Sequence, residues 1–160
     1  MQVQSGSLDN SGEGLLNAAS VAVETGELNN NQAGLIHSGG QLQLVSGRLD
    51  NSGGELSAKG DLYLTVQQLI QRQGRLIGEG ALHLDLQNGD LDNRGGLLAA
   101  RGPLTLANLR ALDNRERGEI SSERAFSLLA TTLDNGDQGL IVSAETLSVQ
   151  AQSLRNAQGG

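Results

Sequence analysis

Hydrophobic and polar positions alternate along this chain in short segments that recur at a nearly fixed period. The marker of the period is the triplet Leu-x-Asn, whose successive copies are 20, 21, 20, 22, 21, 21 and 21 residues apart and begin at Leu8, Leu28, Leu49, Leu69, Leu91, Leu112, Leu133 and Leu154. The third position is Asn in every copy except one, which has Gln71. Self-similarity at a period of 20–50 residues indicates a repeat architecture.

Two short alternating segments follow each triplet at fixed offsets. The first reads Gly-x-aliphatic-x-small, as in Gly96–Ala100, and the second reads apolar-x-apolar, as in Leu104–Leu106. Alternation with a period of two residues predicts strands with one buried face. We therefore expect two or three strands of three to five residues in each repeat, joined by corners rich in Gly, Asn and Asp, with no helix of ten residues or more.

A single repeat of this kind cannot bury its own apolar face, whereas stacked repeats can. The pattern predicts an all-β fold, a right-handed parallel β-helix (β-solenoid) of about seven and a half coils with a 20–22-residue repeat, as one domain over 1–160. A leucine-rich repeat has a similar period, but the Gly-Gly step and the second alternating strand favour the β-helix; a mostly β solenoid of the other hand stays open.

Equivalent positions of stacked coils should form columns along the axis. We expect an internal aliphatic column of Leu16, Ile36, Leu56, Leu76, Leu98, Ile120 and Ile141. A second column, at a corner that admits only small side chains, should contain Ala18, Ser38, Ala58, Gly78, Ala100, Ser122 and Ser143. At about 4.8 Å per coil, the stack would be a rod on the order of 35 Å long.

The Asn positions of the triplets predict a structural ladder formed by Asn10, Asn30, Asn51, Asn93, Asn114, Asn135 and Asn156. Asn tolerates the left-handed conformation at a corner, and its amide carries both a donor and an acceptor. Copies one strand spacing apart can therefore bond to each other along the axis. The alternative is that each Asn only caps its own turn, and the sequence leaves both interpretations open.

The composition argues against several classes of function. The chain has 18 acidic and 11 basic residues, a net charge of −7 and a single Lys, which argues against nucleic-acid binding. It has no Cys, hence no disulfide or thiolate metal site, and no apolar stretch of about 18 residues for membrane insertion. Because it begins inside a repeat and shows no secretory signal, we interpret it as a fragment of a longer filament.

The motifs Leu49–Gly54 and Leu91–Ala100, repeated in phase along nearly the whole chain, resemble the haemagglutinin repeats of filamentous haemagglutinins. They are equally similar to the shaft of contact-dependent growth-inhibition effectors. The resemblance implies a Gram-negative exoprotein, secreted or on the cell surface, that passes through an outer-membrane two-partner-secretion transporter and meets a target-cell receptor. The secretion and toxin domains of these families have no counterpart in the repeats.

Few positions suggest chemistry. Tyr63 and His83 hold the same outward position in adjacent coils and could form a small binding patch or a packing contact; His37 is also outward. Asp92, Asp113 and Asp134 form a row that either binds a cation or pairs with neighbouring Arg residues. We assign no catalytic residue, metal or cofactor.

We therefore expect a structural shaft that displays a distal adhesive or toxin domain, and not an enzyme. The alternative is a module that binds a glycan or receptor directly. A polysaccharide-degrading β-helix would need walls around a groove, and the largest insertion, near Gln87–Asp90, is too short to build one. The exposed coil edges at the two ends should allow end-to-end self-association.

Overall fold

The structure, a computed structural model that describes residues 1–160, is a parallel β-solenoid without helices, which confirms the predicted fold class. Each turn contributes one long and one short strand. The long strands are β1 (Gln2–Asp9), β3 (Val21–Asn29), β5 (Leu42–Asp50), β7 (Leu62–Ile70), β9 (Leu82–Asp92), β11 (Leu104–Asp113), β13 (Phe126–Asp134) and β15 (Leu147–Arg155). The short strands are β2 (Leu15–Ala18), β4 (Leu35–Ser38), β6 (Glu55–Ala58), β8 (Arg75–Gly78), β10 (Leu97–Ala100), β12 (Glu119–Ser122) and β14 (Leu140–Ser143).

The strands form two parallel sheets in which each strand pairs with the equivalent strand of the next turn. The long strands make an eight-stranded sheet and the short strands a seven-stranded one. Leu98 lies opposite Leu76 on one side and Ile120 on the other, so the predicted aliphatic column is continuous. The small-residue column is also in register, since Gly78 lies between Ala58 and Ala100.

The expected strand lengths were wrong for the longer element. The apolar-x-apolar segment and the start of the next Leu-x-Asn triplet belong to one strand of eight to eleven residues. In β3 the buried side chains of Val21, Val23 and Thr25 alternate with outward ones, after which Gly26 and Glu27 are both exposed. Two outward residues in succession shift the phase of the alternation, so Leu28 points inward again on the same strand.

The space between the sheets is filled by one cluster of 29 buried apolar residues, of which Phe126 is the only aromatic. Leu, Ile, Val and Ala from successive coils stack in layers, as the composition indicated. At the last turn the same columns end in solvent: Leu147 is 41% exposed and Leu154 is 53% exposed. No membrane-spanning helix is present.

Candidate functional site: the amide ladder and the outer faces

The amide side chains of the triplets bond to one another along the axis. Each Asn Nδ2 donates to the side-chain oxygen of the equivalent residue one coil further on. The donor–acceptor distances are 2.7 Å from Asn10 to Asn30, 2.7 Å from Asn30 to Asn51, 2.8 Å from Asn51 to Gln71, 2.7 Å from Asn93 to Asn114, 2.7 Å from Asn114 to Asn135 and 2.8 Å from Asn135 to Asn156. These residues therefore form a buried polar column beside the apolar core.

The same amides also close their own corners. Asn114 Nδ2 donates to the main-chain oxygen of Gly118, four residues on, at 2.9 Å, and to that of Leu140 in the next coil at 3.2 Å. The side chain of Asn114 is fully buried. The structure thus combines the two interpretations that the sequence left open, because one NH₂ group serves both the ladder and the corner.

The ladder has one interruption. Gln71 Nε2 has a single weak contact, 3.4 Å from the main-chain oxygen of Leu97, and does not reach the next amide. Asn93 Oδ1 is consequently buried without a hydrogen-bond partner. Gln71 still accepts a hydrogen bond from Asn51. Because its side chain is one methylene longer than that of Asn, its NH₂ group does not donate to Asn93.

The ladder Asn residues do not use the left-handed conformation that Asn tolerates at a corner. Left-handed residues come two or three positions later in each corner: Gln32 and Ala33 have φ values of 51° and 64°, and Gly53 has 65°. None of the ladder Asn residues has a positive φ, and each directly follows the end of a long strand, including Asn156 after β15 at the last turn.

Sequence reasoning missed the role of the glycine that ends each corner. A Cβ on Gly54 would lie 1.8 Å from the main-chain oxygen of Asn30, and one on Gly96 would lie 2.2 Å from that of Gln71. Neither glycine has a positive φ, so close approach of the preceding coil is the reason for Gly. The signal was present as a Gly at every such corner: Gly14, Gly34, Gly54, Gly74, Gly96, Gly118, Gly139 and Gly160.

The row of aspartates carries interleaved arginines. Arg94 binds Asp92 through Nε and Nη2, each at 2.9 Å, and its Nε lies 3.5 Å from Asp113 in the next coil. Arg115 repeats the arrangement with Asp113 at 2.9 and 2.7 Å, and lies 3.7 Å from Asp134. Each carboxylate of the row therefore has a guanidinium partner, as expected for an ion-pair face.

These contacts lower the pKa values of two aspartates in the row, Asp92 and Asp113. Partial burial raises the pKa of the Asp92 carboxyl, but hydrogen bonds from Arg94 and Arg72 outweigh that effect and hold the pKa below its ordinary value. At Asp113, partial burial is likewise outweighed by the hydrogen bonds and charge of Arg115, and the pKa is lowered. A general acid of a glycoside hydrolase needs a raised carboxyl pKa, so this face has the opposite electrostatics.

Tyr63 and His83 are half-buried and stack on each other, with ring centroids 5.0 Å apart and planes 8° from parallel. The Tyr63 hydroxyl donates to Asp61 Oδ2 at 3.2 Å. The negative charge of Asp61 raises the pKa of the Tyr63 hydroxyl. One face of each ring is covered by the other ring.

The two histidines lie in different sheets. His83 belongs to the long strand β9, whereas His37 belongs to the short strand β4, where its Nδ1 lies 2.9 Å from Ser57 Oγ. The structure therefore does not bring them together.

The outer surface also has an open groove of about 360 Å³ along the bend of the long strands. Its lining includes Ser5, Thr25 and Ser46, and it carries one carboxylate, that of Glu24. A glycosidase of the usual kind works with a pair of carboxylates on either side of the scissile bond. This groove does not supply that pair.

Comparison with known proteins gave one family. The family model described as haemagglutinin repeat matches residues 5–85, 83–128 and 110–160. These matches leave only the first four residues uncovered. No curated protein and no solved structure matches the chain significantly.

Proposed function

The chain belongs to the haemagglutinin repeat family, and we propose that it is a length of shaft in a secreted filament that holds a distal adhesive or toxin domain away from the producing cell. The family is a structural and adhesin family. The observation that carries the proposal is the continuous parallel pairing of equivalent strands through both sheets, from β1 to β15 and from β2 to β14. Such a stack can be lengthened by further coils that pair in the same way.

The mechanism is mechanical. Every coil adds about 4.8 Å of length, and the inter-coil hydrogen bonds lie along the axis. The aliphatic columns and the buried amide ladder resist separation and shear of neighbouring coils. The acidic, arginine-braced outer surface keeps the rod soluble.

For the parent protein we propose the context that the family suggests: a Gram-negative cell, export through an outer-membrane two-partner-secretion transporter and contact with a receptor on a target cell. These steps need domains other than the repeats. The repeats would supply reach and stiffness alone.

A second candidate function is direct binding of a glycan or receptor by the outer face. The observation that favours it is the stacked pair of Tyr63 and His83, the one aromatic pair on the surface. Against it, each ring covers one face of the other, which removes that face from contact with a sugar. A packing contact between coils accounts for the same geometry.

Binding assays on cells and glycan arrays separate the two functions. The shaft proposal predicts no saturable binding by the 160-residue chain. The binding-module proposal predicts saturable binding that the double variant Tyr63→Ala/His83→Ala abolishes and that the matched outer-face variant Thr105→Ala/Ser127→Ala retains. Saturable binding with that pattern would overturn the shaft as the sole function.

The open ends provide a further test. We propose that the chain associates end to end, because Leu147 and Leu154 of the last turn expose apolar surface and the terminal strands β1 and β15 each have an unpaired edge. Sedimentation velocity across a range of concentrations should show elongated oligomers. Leu154→Lys should suppress them, whereas Ser127→Lys on the side of the rod should not; a monomer at all concentrations would contradict the proposal.

A further inference from the structure

Two irregularities of the solenoid fall at the same interface between coils. The first is the interruption of the amide ladder, where Asn93 Oδ1 is buried without a partner and Gln71 does not donate to it. Gln71 directly follows β7 and Asn93 directly follows β9. The lost bond is therefore one that would have joined the coil of β7 to the coil of β9.

The second irregularity is in the strand pairing itself. β7 and β9 pair in register as far as Thr65 and Asp85, and the pairing resumes only at Gln68 and Asp90. Two residues of β7 thus lie opposite four residues of β9, so β9 has two extra residues at this interface. The extra segment bulges outward: Gln87 and Asn88 are exposed and have φ values of 51° and 64°.

The other interfaces of the long sheet show at most one of these defects. β9 and β11 also lose register, between Ala107 and Ala111, but the ladder is intact there, since Asn93 bonds to Asn114 at 2.7 Å. β5 and β7 pair without any shift, and Asn51 bonds to Gln71 across them. β11 and β13 have a small shift between Leu106 and Leu109, but the ladder is intact there, since Asn114 bonds to Asn135 at 2.7 Å.

Three contacts cross the β7–β9 interface near or at the surface. They are the Tyr63–His83 stack, the ion pair of Arg72 with Asp92 at 2.6 Å, and the hydrogen bond from the Ala81 amide to Asp61 at 2.8 Å. Exposed ion pairs contribute little to stability, and a surface stack does not replace a buried amide bond. These contacts hold the interface closed without restoring the missing internal bond.

We propose that the solenoid divides at the β7–β9 interface into two cooperative units, residues 1–81 and 82–160, and that this interface opens before any other internal one. In a solenoid each coil contacts only its neighbours, so stability is a sum of coil and interface contributions. The weakest interface then decides where partial opening occurs. The stack of Tyr63 on His83 is a surface contact that stabilises the closed state of this boundary. Both residues thus have a role that does not depend on a ligand.

Native-state hydrogen exchange on the intact 160-residue chain tests the division. The amides that bond β7 to β9 should exchange through a partial opening that is reached at lower denaturant than the opening of the β11–β13 amides. Brief proteolysis should first cut the bulge at Gln87–Gly89. Uniform protection of both interfaces, lost only in global unfolding, would overturn the proposal.

Single substitutions test whether the interrupted amide ladder is the reason that the β7–β9 interface opens first. Gln71→Asn should complete the ladder and raise protection across β7–β9 about five-fold, the factor that one regained hydrogen bond gives. Asn114→Gln is the matched control, because it should create the same interruption between β11 and β13 and lower protection there. Tyr63→Ala should increase opening at β7–β9 without affecting β11–β13.

The hydrogen-exchange pattern of the wild-type chain tests the division into two units even if a variant folds poorly. If Gln71→Asn folds and leaves the protection at β7–β9 unchanged while Asn114→Gln lowers protection at β11–β13, the interruption of the ladder is not the cause of the boundary and the proposal fails in that form.

Discussion

Gly54 lies directly against the main-chain oxygen of Asn30 in the preceding coil, so close that a Cβ at position 54 would be 1.8 Å from that oxygen. The contact joins the end of one corner to the start of the previous one and recurs at equivalent glycines along the rod. The contact limits how closely successive corners can stack. It exists only between two coils, so a single repeat cannot form it.

Substitution of Gly54 by Ala should therefore be costly, by about 3 kcal/mol or more of unfolding free energy, because the backbone of two coils must move apart. Gly53→Ala is the first control: its Cβ would meet nothing, but φ is 65°, so the cost should be about 1–2 kcal/mol. Gly6→Ala has open space and no positive φ and should change stability by less than about 0.5 kcal/mol. Chemical denaturation measures all three, and equal costs would contradict the close-contact explanation.

The amide ladder predicts a strong dependence on a central Asn. Asn114→Ala removes the acceptor of Asn93 and the donor to Asn135, and it removes one of the two hydrogen bonds to the main-chain oxygen of Gly118. We expect a loss of about 2–4 kcal/mol, since buried polar groups lose their partners. Asn156→Ala, at the end of the ladder, should cost clearly less. Similar small losses in both denaturation curves would mean that the buried amides contribute little.

The inside–outside assignment predicts opposite results for the same substitution at two positions. Leu98→Asp places a carboxylate in the middle of a fully buried column and should abolish cooperative folding of the neighbouring coils. Ser127→Asp on the exposed side of β13 should change stability by less than about 0.5 kcal/mol. Far-ultraviolet circular dichroism and thermal melting distinguish the two, and equal loss of β signal would show the assignment to be wrong.

The aspartate row predicts acid sensitivity. The pKa values of Asp92 and Asp113 are lower in the folded protein than in the unfolded chain, so the unfolded chain binds more protons when the carboxyls titrate. Their stabilising contribution is complete above about pH 4 and is lost as the pH falls through the lowered folded values. Unfolding free energy measured from pH 6 to pH 2 should decline over that window.

Arg94→Gln should reduce this decline, because it removes the hydrogen bonds that lower the pKa of Asp92. High salt should reduce it less than for fully exposed pairs, since the Asp92 side chain is only 22% exposed. An unchanged pH profile in Arg94→Gln would contradict the role given to the arginines.

Most of the fold could be predicted because repetition supplies many copies of the same weak signal. One alternating triplet such as Leu82–Leu84 does not distinguish a β-helix from other β folds, but equivalent triplets in every coil fix the register and both columns. The strand lengths could not be predicted, because the phase shift at Gly26–Glu27 looks like a corner in the sequence and becomes continuous pairing only when the next coil lies beside it.

The candidate sites were predicted less completely. The Asn column was visible from spacing, but its contacts depend on the pitch of the coils, and so does the close approach that requires Gly54. The replacement of Asn by Gln71 keeps the amide and looks conservative in the sequence. The structure shows that the Gln71 donor turns to the main-chain oxygen of Leu97 and that Asn93 Oδ1 has no partner. The sequence placed Tyr63 and His83 together, and the structure adds that their rings stack.

Distances between spin labels test the central claim, the stack of coils along one axis, most directly. The chain has no native Cys, so labels attach only at introduced ones. Ala22, Thr105 and Ser148 occupy the same outward column, with Thr105 four coils and Ser148 six coils from Ala22. Pulsed electron paramagnetic resonance on Ala22→Cys/Thr105→Cys and on Ala22→Cys/Ser148→Cys should give distances of roughly 19 and 29 Å, which differ by two coil spacings. Equal distances, or a shorter distance for the six-coil pair, would contradict the solenoid and the shaft function that rests on it.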